Sequence, residues 1–137
     1  MIRAVIDTNV LVSAMISPVG NESLVLLAVN QDLLTPCFSS DILREYSEVL
    51  ARPKFGFPGD EVDALINLLH IKGELVAPQA VRRSSPDPSD DKFIACALAA
   101  APELLITGNK RHFPESHYGY TQVVKAAKLI HFIALDL

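Results

Sequence analysis

Met1-Ile-Arg-Ala-Val-Ile-Asp-Thr-Asn9 is the stretch whose reading decides the fold. Ile2, Val5 and Ile6 form a short apolar, β-branched run that stops at three polar residues, Asp7, Thr8 and Asn9. A second apolar run, residues 10–16, follows at once. Apolar character that is continuous rather than alternating marks a strand buried on both faces of a parallel sheet. Asp7 then sits at the carboxyl end of the strand, the edge at which open α/β sheets bind ligands. A carboxylate held there by a rigid strand can bind a metal ion or act as a nucleophile. The competing reading is that Asp7 N-caps the next helix, because Asp, Thr and Asn are all good caps. The rest of the chain has to decide.

Working outward, strands and helices alternate. Residues 10–16 read as a short apolar helix, 17–21 as a turn rich in Pro, Gly and Asn, and 22–30 as a second helix. Residues 33–36 form a candidate strand ended by Pro36. Ser39-Ser40-Asp41 is a helix start, with a hydroxyl cap and an acid in the first turn. Ile42, Leu43, Tyr46, Val49 and Leu50 then follow at helical spacing, and this helix stops at Arg52-Pro53. Residues 55–59 are a loop, 60–70 a helix, and 74–76 a weak strand. Residues 78–88, with three prolines and Arg82-Arg83, make a long connection. A helix over 88–101, a strand over 104–107 ended by Gly108-Asn109, a strand over 121–124 and a helix to about residue 133 complete the chain. The alternation predicts one α/β domain over residues 1–137, a three-layer α/β/α fold around a parallel sheet of four to five strands. Right-handed crossovers put the strand ends carrying Asp7 and Thr107 to Asn109 on one edge of that sheet.

The totals set bounds. The chain has 137 residues, half of them apolar, which is enough for a sizeable core. A net charge of −4 argues against gripping nucleic acid through bulk charge, though not against a local basic rim. Cys37 and Cys96 are far apart and match no zinc pattern, so reduced, buried cysteines and a cytoplasmic location are expected. No run reaches membrane-spanning length, and the N-terminus lacks the pattern of a signal peptide.

Three acids point at chemistry. In the helix after Ser40, Glu48 lies roughly opposite the apolar stripe, while Glu45 lies about 100° from its centre, at the border, where it can reach over the sheet edge. Glu48 can pair with Arg52 at i,i+4. In Ser85-Pro86-Asp87-Pro88-Ser89-Asp90-Asp91-Lys92, Asp87 is a natural N-cap with Pro88 at the first helical position, and Asp90 suits the helix dipole three residues in. Asp91 is surplus to capping. Two adjacent carboxylates at one helix start repel each other, a cost that a divalent cation removes. Oxygen-only clusters suit Mg²⁺ or Mn²⁺ rather than zinc, and such sites polarise a phosphate and activate water. No motif supplies a Lys or Arg between Asp7, Glu45 and Asp91, so these acids are expected to converge without a basic partner.

At four segments the chain resembles the PIN domain, the fold of metal-dependent ribonucleases that includes the toxins of bacterial toxin–antitoxin pairs. Ile6-Asp7-Thr8-Asn9 resembles the opening acid motif. Ser40-Asp-Ile-Leu-Arg-Glu45 resembles the second, with Glu45 as its acid, and Asp91-Lys-Phe-Ile-Ala95 the third. Ile106-Thr107-Gly108-Asn109 stands where the fourth should, a strand ending in Thr-Gly-acid, and Leu50-Ala-Arg-Pro-Lys-Phe55 resembles a subgroup of PIN-family toxins. The departure is Asn109, often Asp in the family. Its carbonyl oxygen can still meet a metal, but one negative charge is gone. His112 is a conceivable substitute, although a solvated loop histidine is the expected reading.

The resemblance implies an endoribonuclease in which Asp7, Glu45 and Asp91 are catalytic. These three with Asn109 would hold Mg²⁺ or Mn²⁺, and Thr8, Asn9, Asp90 and Thr107 would support them. It also implies an RNA substrate, a small antitoxin and a homodimer, with no membrane. Arg44, Arg52, Lys54, Lys92, Lys110 and Arg111 lie close to the motifs. Most are expected to be ordinary surface charge, but Arg44, Lys54, Lys92, Lys110 and Arg111 are the candidates for a phosphate-gripping rim. Two other readings compete. One is a degenerate, non-catalytic PIN module marked by Asn109. The other is haloacid-dehalogenase-like or receiver-like phosphotransfer through Asp7. Against the latter, Asn9 stands where the former needs a second Asp, and Gly108 and Asn109 follow Thr107 where the latter needs a Lys.

Overall fold

The computed structural model describes residues 2–78 and 87–136. Its centre is strand β1 (Ile2–Ile6), in which every residue but Arg3 is buried. β1 pairs in parallel with β2 (Leu34–Phe38) on one side and with β4 (Leu104–Ile106) on the other. β3 (Glu74–Leu75) extends the sheet beyond β2, and β6 (Thr121–Val124) extends it beyond β4, both in parallel. The order is β3-β2-β1-β4-β6-β5. The five strands expected from sequence are therefore present and parallel. The sixth, β5 (His117–Tyr118), pairs antiparallel with β6 at the edge. At two residues it is too short for periodicity to show. It is held instead by a tight turn at Gly119, whose φ of 61° favours glycine, and by Tyr118. That ring meets Phe113 edge-on at 6.5 Å, and Phe113 meets Phe93 the same way at 6.4 Å.

Among the described residues, six helices complete the three-layer α/β/α arrangement: α1 (Thr8–Ile16), α2 (Asn21–Asn30), α3 (Ser40–Leu50), α4 (Gly59–Lys72), α5 (Asp91–Ala100) and α6 (Ala126–Asp136). Most lie within a residue or two of the expected spans. The exception is the helix expected over 88–101. A short 3-10 turn, Pro88–Asp90, comes first, and α5 begins only at Asp91. The connection at 78–88 and Arg82-Arg83 lie largely outside the described residues. Among the described residues, no single helix is long and apolar enough to cross a membrane. Both cysteines are free and buried, as expected.

The register sets the site. Ile6 lies opposite Ile106, and the Asp7 amide donates to the Ile106 carbonyl at 2.9 Å, so β1 and β4 end side by side. The Thr107 amide donates to the Val124 carbonyl at 3.0 Å, which brings the end of β6 to the same edge. The buried Tyr46 hydroxyl of α3 donates to the Ile6 carbonyl and ties that helix to the last residue of β1.

Candidate active site

Asp7 occupies the position before α1, but its side chain makes no capping hydrogen bond. It turns instead to β4 and accepts from Thr107 Oγ1 at 2.7 Å. At 4 % exposure it is one of the few buried charged groups. Burial pushes its carboxyl above the ordinary range, and the Glu45 charge adds to this, against the Thr107 hydrogen bond that favours ionisation. The capping reading of Asp7 therefore fails: this carboxylate is held, buried and raised at the sheet edge.

Glu45 projects from α3 to meet it. Ser39 caps that helix, its hydroxyl accepting from the Ile42 amide at 3.2 Å, and so fixes the rotation of α3. Glu45 is half-buried and Glu48 exposed, in agreement with their angular positions. The Thr8 hydroxyl donates to one Glu45 oxygen, and Lys92 Nζ lies 2.6 Å from the other. Lys92 also donates to the Ser89 carbonyl. The acids thus converge with a basic partner after all. Lys92, one step after Asp91, comes from the same turn that supplies the third acid and is engaged with Glu45.

Of the acids in that segment, Asp87 and Asp90 line the cleft and Asp91 does not. Asp87 caps the 3-10 turn, accepting from the Ser89 amide at 3.0 Å and the Ser89 hydroxyl at 2.8 Å, bonds that lower its pKa. In a 3-10 turn, side chains three residues apart eclipse. Asp87 and Asp90 therefore share a face, and both line the cleft that holds Asp7, Thr8 and Glu45. Asp91 is rotated by about 100° at the first residue of α5. It lies outside the cleft lining, and its charge acts on the Tyr118 hydroxyl. Asp90 stands in the first turn, as expected, at the start of α5. It is buried, and burial, Asp7, Asp87 and Glu45 together push its carboxyl up to about 6 against the opposing effect of His112.

His112 is the residue that sequence reasoning undervalued. Its Nδ1 lies 2.8 Å from Asp90 Oδ2, and it lines the cleft rather than standing free in solvent. The contact falls outside hydrogen-bond geometry, so Asp90 Oδ2 is buried without a hydrogen bond. Asn109, expected as the fourth ligand, is not in the cleft lining. Its side chain accepts from the Arg111 amide at 3.2 Å and caps the 3-10 turn Lys110–His112. Capping by Asn109 thus leaves His112, three residues later, as the side chain presented to the acids. Asn9, by contrast, lines the cleft, and its Oδ1 accepts from the Gly108 amide at 3.1 Å and ties α1 to the loop after β4.

The PIN domain profile matches residues 3–111, most of the chain and every cleft residue just described except His112. The chain belongs to the PIN-domain family. No curated protein matches it closely enough to narrow the assignment. PIN domains are a superfamily of metal-dependent nucleases that bind divalent cations, and this chain offers a place for one. One ligand atom each from Asp87, Asp90 and His112 lies within 4.8 Å of the others. The bare Asp90 Oδ2 is the kind of buried polar atom that a native structure rarely leaves unmatched. A cation there would also offset the repulsion that raises Asp7 and Asp90. The donor set therefore fits a divalent ion.

The basic candidates scatter in this PIN domain. Arg44 lies 3.6 Å from Asp41 on the exposed side of α3. Lys54 sits over the Phe55 ring at 5.1 Å. Arg111 is exposed and outside the cleft lining. Arg52 forms no ion pair with Glu48 among the described residues; it lines the cleft, as does Phe55.

Proposed function

We propose that this PIN domain is a divalent-metal-dependent endoribonuclease and the toxin component of a toxin–antitoxin pair. The observation that carries the nuclease reading is the cleft itself. Asp7, Glu45 and Asp90 reach it from three separate elements, with Asp87 and His112 beside them, at the carboxyl edge of the sheet. Asp7, Asp90 and Asp87 would hold the ion, with His112 as a nitrogen donor. The carboxylates suit Mg²⁺ or Mn²⁺, and the nitrogen favours Mn²⁺ of the two. When bound, such an ion supplies charge to a scissile phosphate and lowers the pKa of a water.

The side chains divide the remaining work. Thr107 orients Asp7, and Thr8 with Lys92 orients Glu45, whose oxygens border the cleft. Arg52, without an ion pair among the described residues, is the cation best placed at the cleft for the phosphate of the substrate. The toxin role, the antitoxin and a homodimer rest on the resemblance of residues 50–55 and the ordered motifs.

A second reading, a weakened or inactive nuclease, is favoured by Asn109 turning away to cap its own turn. One experiment separates the two. Purified protein is incubated with single-stranded RNA and Mn²⁺, Mg²⁺ or chelator. Cleavage that needs the ion and is lost in Asp7→Asn supports the nuclease. Intact RNA under all three conditions supports the inactive module. Growth arrest on expression, relieved by the same substitution, tests the toxin role.

A further inference from the structure

A second cavity opens on the other side of the Lys110–His112 turn. It has a volume of about 430 Å³ and is lined by Lys110, Lys125, Lys128 and His131, with Gln122 and the end of β6 as its floor. No acid lines it. In a chain of net charge −4, three lysines without a carboxylate are a marked segregation. All three are exposed, and none forms an ion pair among the described residues. By contrast, Arg3, Arg44, Lys72 and Lys92 each face a carboxylate.

The placement carries a cost. Lys125 immediately precedes α6, and Lys128 lies in its first turn, closed by the Lys128 amide donating to the Lys125 carbonyl at 3.0 Å. Helix starts carry partial positive charge and favour acids, but the first turn of α6 has none. Two lysines there oppose the dipole and repel each other and Lys110. A bound anion would offset all three effects. The shared turn relates the cavity to the acidic cleft: Lys110 faces the cavity, and His112, two residues on, faces the cleft.

We propose that this cavity is a phosphate subsite for single-stranded RNA. It would hold a backbone phosphodiester away from the one in the acidic cleft, so that the strand crosses the Lys110–His112 turn. The proposal rests on the nuclease reading for its substrate class, but its test needs no cleavage. Binding of a labelled single-stranded RNA of about a dozen nucleotides is measured in chelator across a salt series. The proteins compared are wild type, Lys125→Ala/Lys128→Ala, and Lys72→Ala as a control far from the cavity.

Each phosphate contact on a single strand contributes about 0.7 to the slope of log affinity against log salt. The double variant loses the one phosphodiester held there and should therefore bind more weakly, with a slope shallower by roughly 0.7. Lys72→Ala should leave the slope unchanged. Thermal unfolding of the double variant should match or exceed wild type, because exposed, mutually repelling charges are removed. Equal slopes in wild type and double variant overturn the proposal. So does a loss in Lys72→Ala as large per charge, which would mean bulk attraction. RNA with a 5′-hydroxyl should show the same loss, and a loss confined to 5′-phosphorylated RNA overturns the backbone assignment. If wild type binds in this lysine-dependent way yet cuts no RNA with Mn²⁺, the subsite stands and the nuclease reading falls.

Discussion

The two ends of β1 carry acids of opposite character. At the amino end, Arg3 gathers its partners. Its guanidinium donates to both Glu74 oxygens at 2.7 and 2.9 Å and to the Ala100 carbonyl at 2.9 Å, and its amide donates to Glu103 at 2.8 Å. The result is matched charge: the hydrogen bond from Arg3 lowers the Glu74 carboxyl, and Glu74 in turn raises Arg3. At the carboxyl end, Asp7 is raised by burial and by Glu45, Asp90 by burial and by Asp7, and one Asp90 oxygen lacks a hydrogen bond. The first end stabilises the fold. The second accumulates charge that the fold alone does not match, which is the physical mark of a functional site.

Substitution should separate the two ends most sharply through Asp7. Asp7→Asn is expected to lower Mn²⁺-dependent RNA cleavage by on the order of a thousandfold, since losing metal-borne charge stabilisation costs several kcal/mol. In chelator the same variant should unfold at a higher temperature than wild type, because a buried, repelled carboxylate is gone. Glu74→Gln should do the reverse, leaving cleavage unchanged and costing up to about 1 kcal/mol, as exposed pairs do. Wild-type cleavage in Asp7→Asn, or a cleavage loss in Glu74→Gln, breaks the contrast.

A smaller effect should distinguish two acids on one helix. Glu45 faces the cleft and is oriented by Thr8 and Lys92, whereas Glu48 is exposed. Glu45→Gln should cost roughly 10–100-fold in cleavage, the usual size for a group that orients a metal site. Glu48→Gln should cost nothing measurable, and equal losses would refute the assignment.

The sheet, its parallel order and the place of Asp7 were all legible in residues 2–9, because a buried strand must be apolar throughout and must end where polarity begins. The Glu45 and Glu48 positions were legible from the helical period alone. That Asp90 rather than Asp91 lines the cleft was not legible, for an identifiable reason. A continuous helix over 88–101 makes Asp90 an outward dipole acid, whereas a 3-10 turn at Pro88–Asp90 eclipses it with Asp87 and turns both into the cleft. The signal lay in Asp-Pro-Ser-Asp, whose Pro and Ser favour a tight capped turn. His112 was undervalued because its position depends on Asn109 capping its own turn, a local hydrogen bond without sequence periodicity. Lys92 was counted toward substrate when its partner, Glu45, lies on another helix.

A gentler probe is pH. Asp90 has a folded pKa of about 6 against an ordinary 3.8. An acid raised by folding binds its proton more tightly in the native state. Its contribution to stability is therefore fully present below about pH 4 and lost as pH rises through about 6. In chelator, wild type should lose stability over that window relative to Asp90→Asn. The same slope in both proteins would show that Asp90 is not strained by its neighbours.

The claim that the carboxyl end of β1 holds unmatched charge for a cation is tested most directly by thermal unfolding of wild type, Asp90→Asn and Asp91→Asn, each with chelator and with Mn²⁺. At a hundredfold excess over Kd, Mn²⁺ should stabilise wild type by about 2.7 kcal/mol. Asp91→Asn should respond like wild type, and Asp90→Asn should lose most of the response. No stabilisation of wild type, or an undiminished response in Asp90→Asn, would contradict the account.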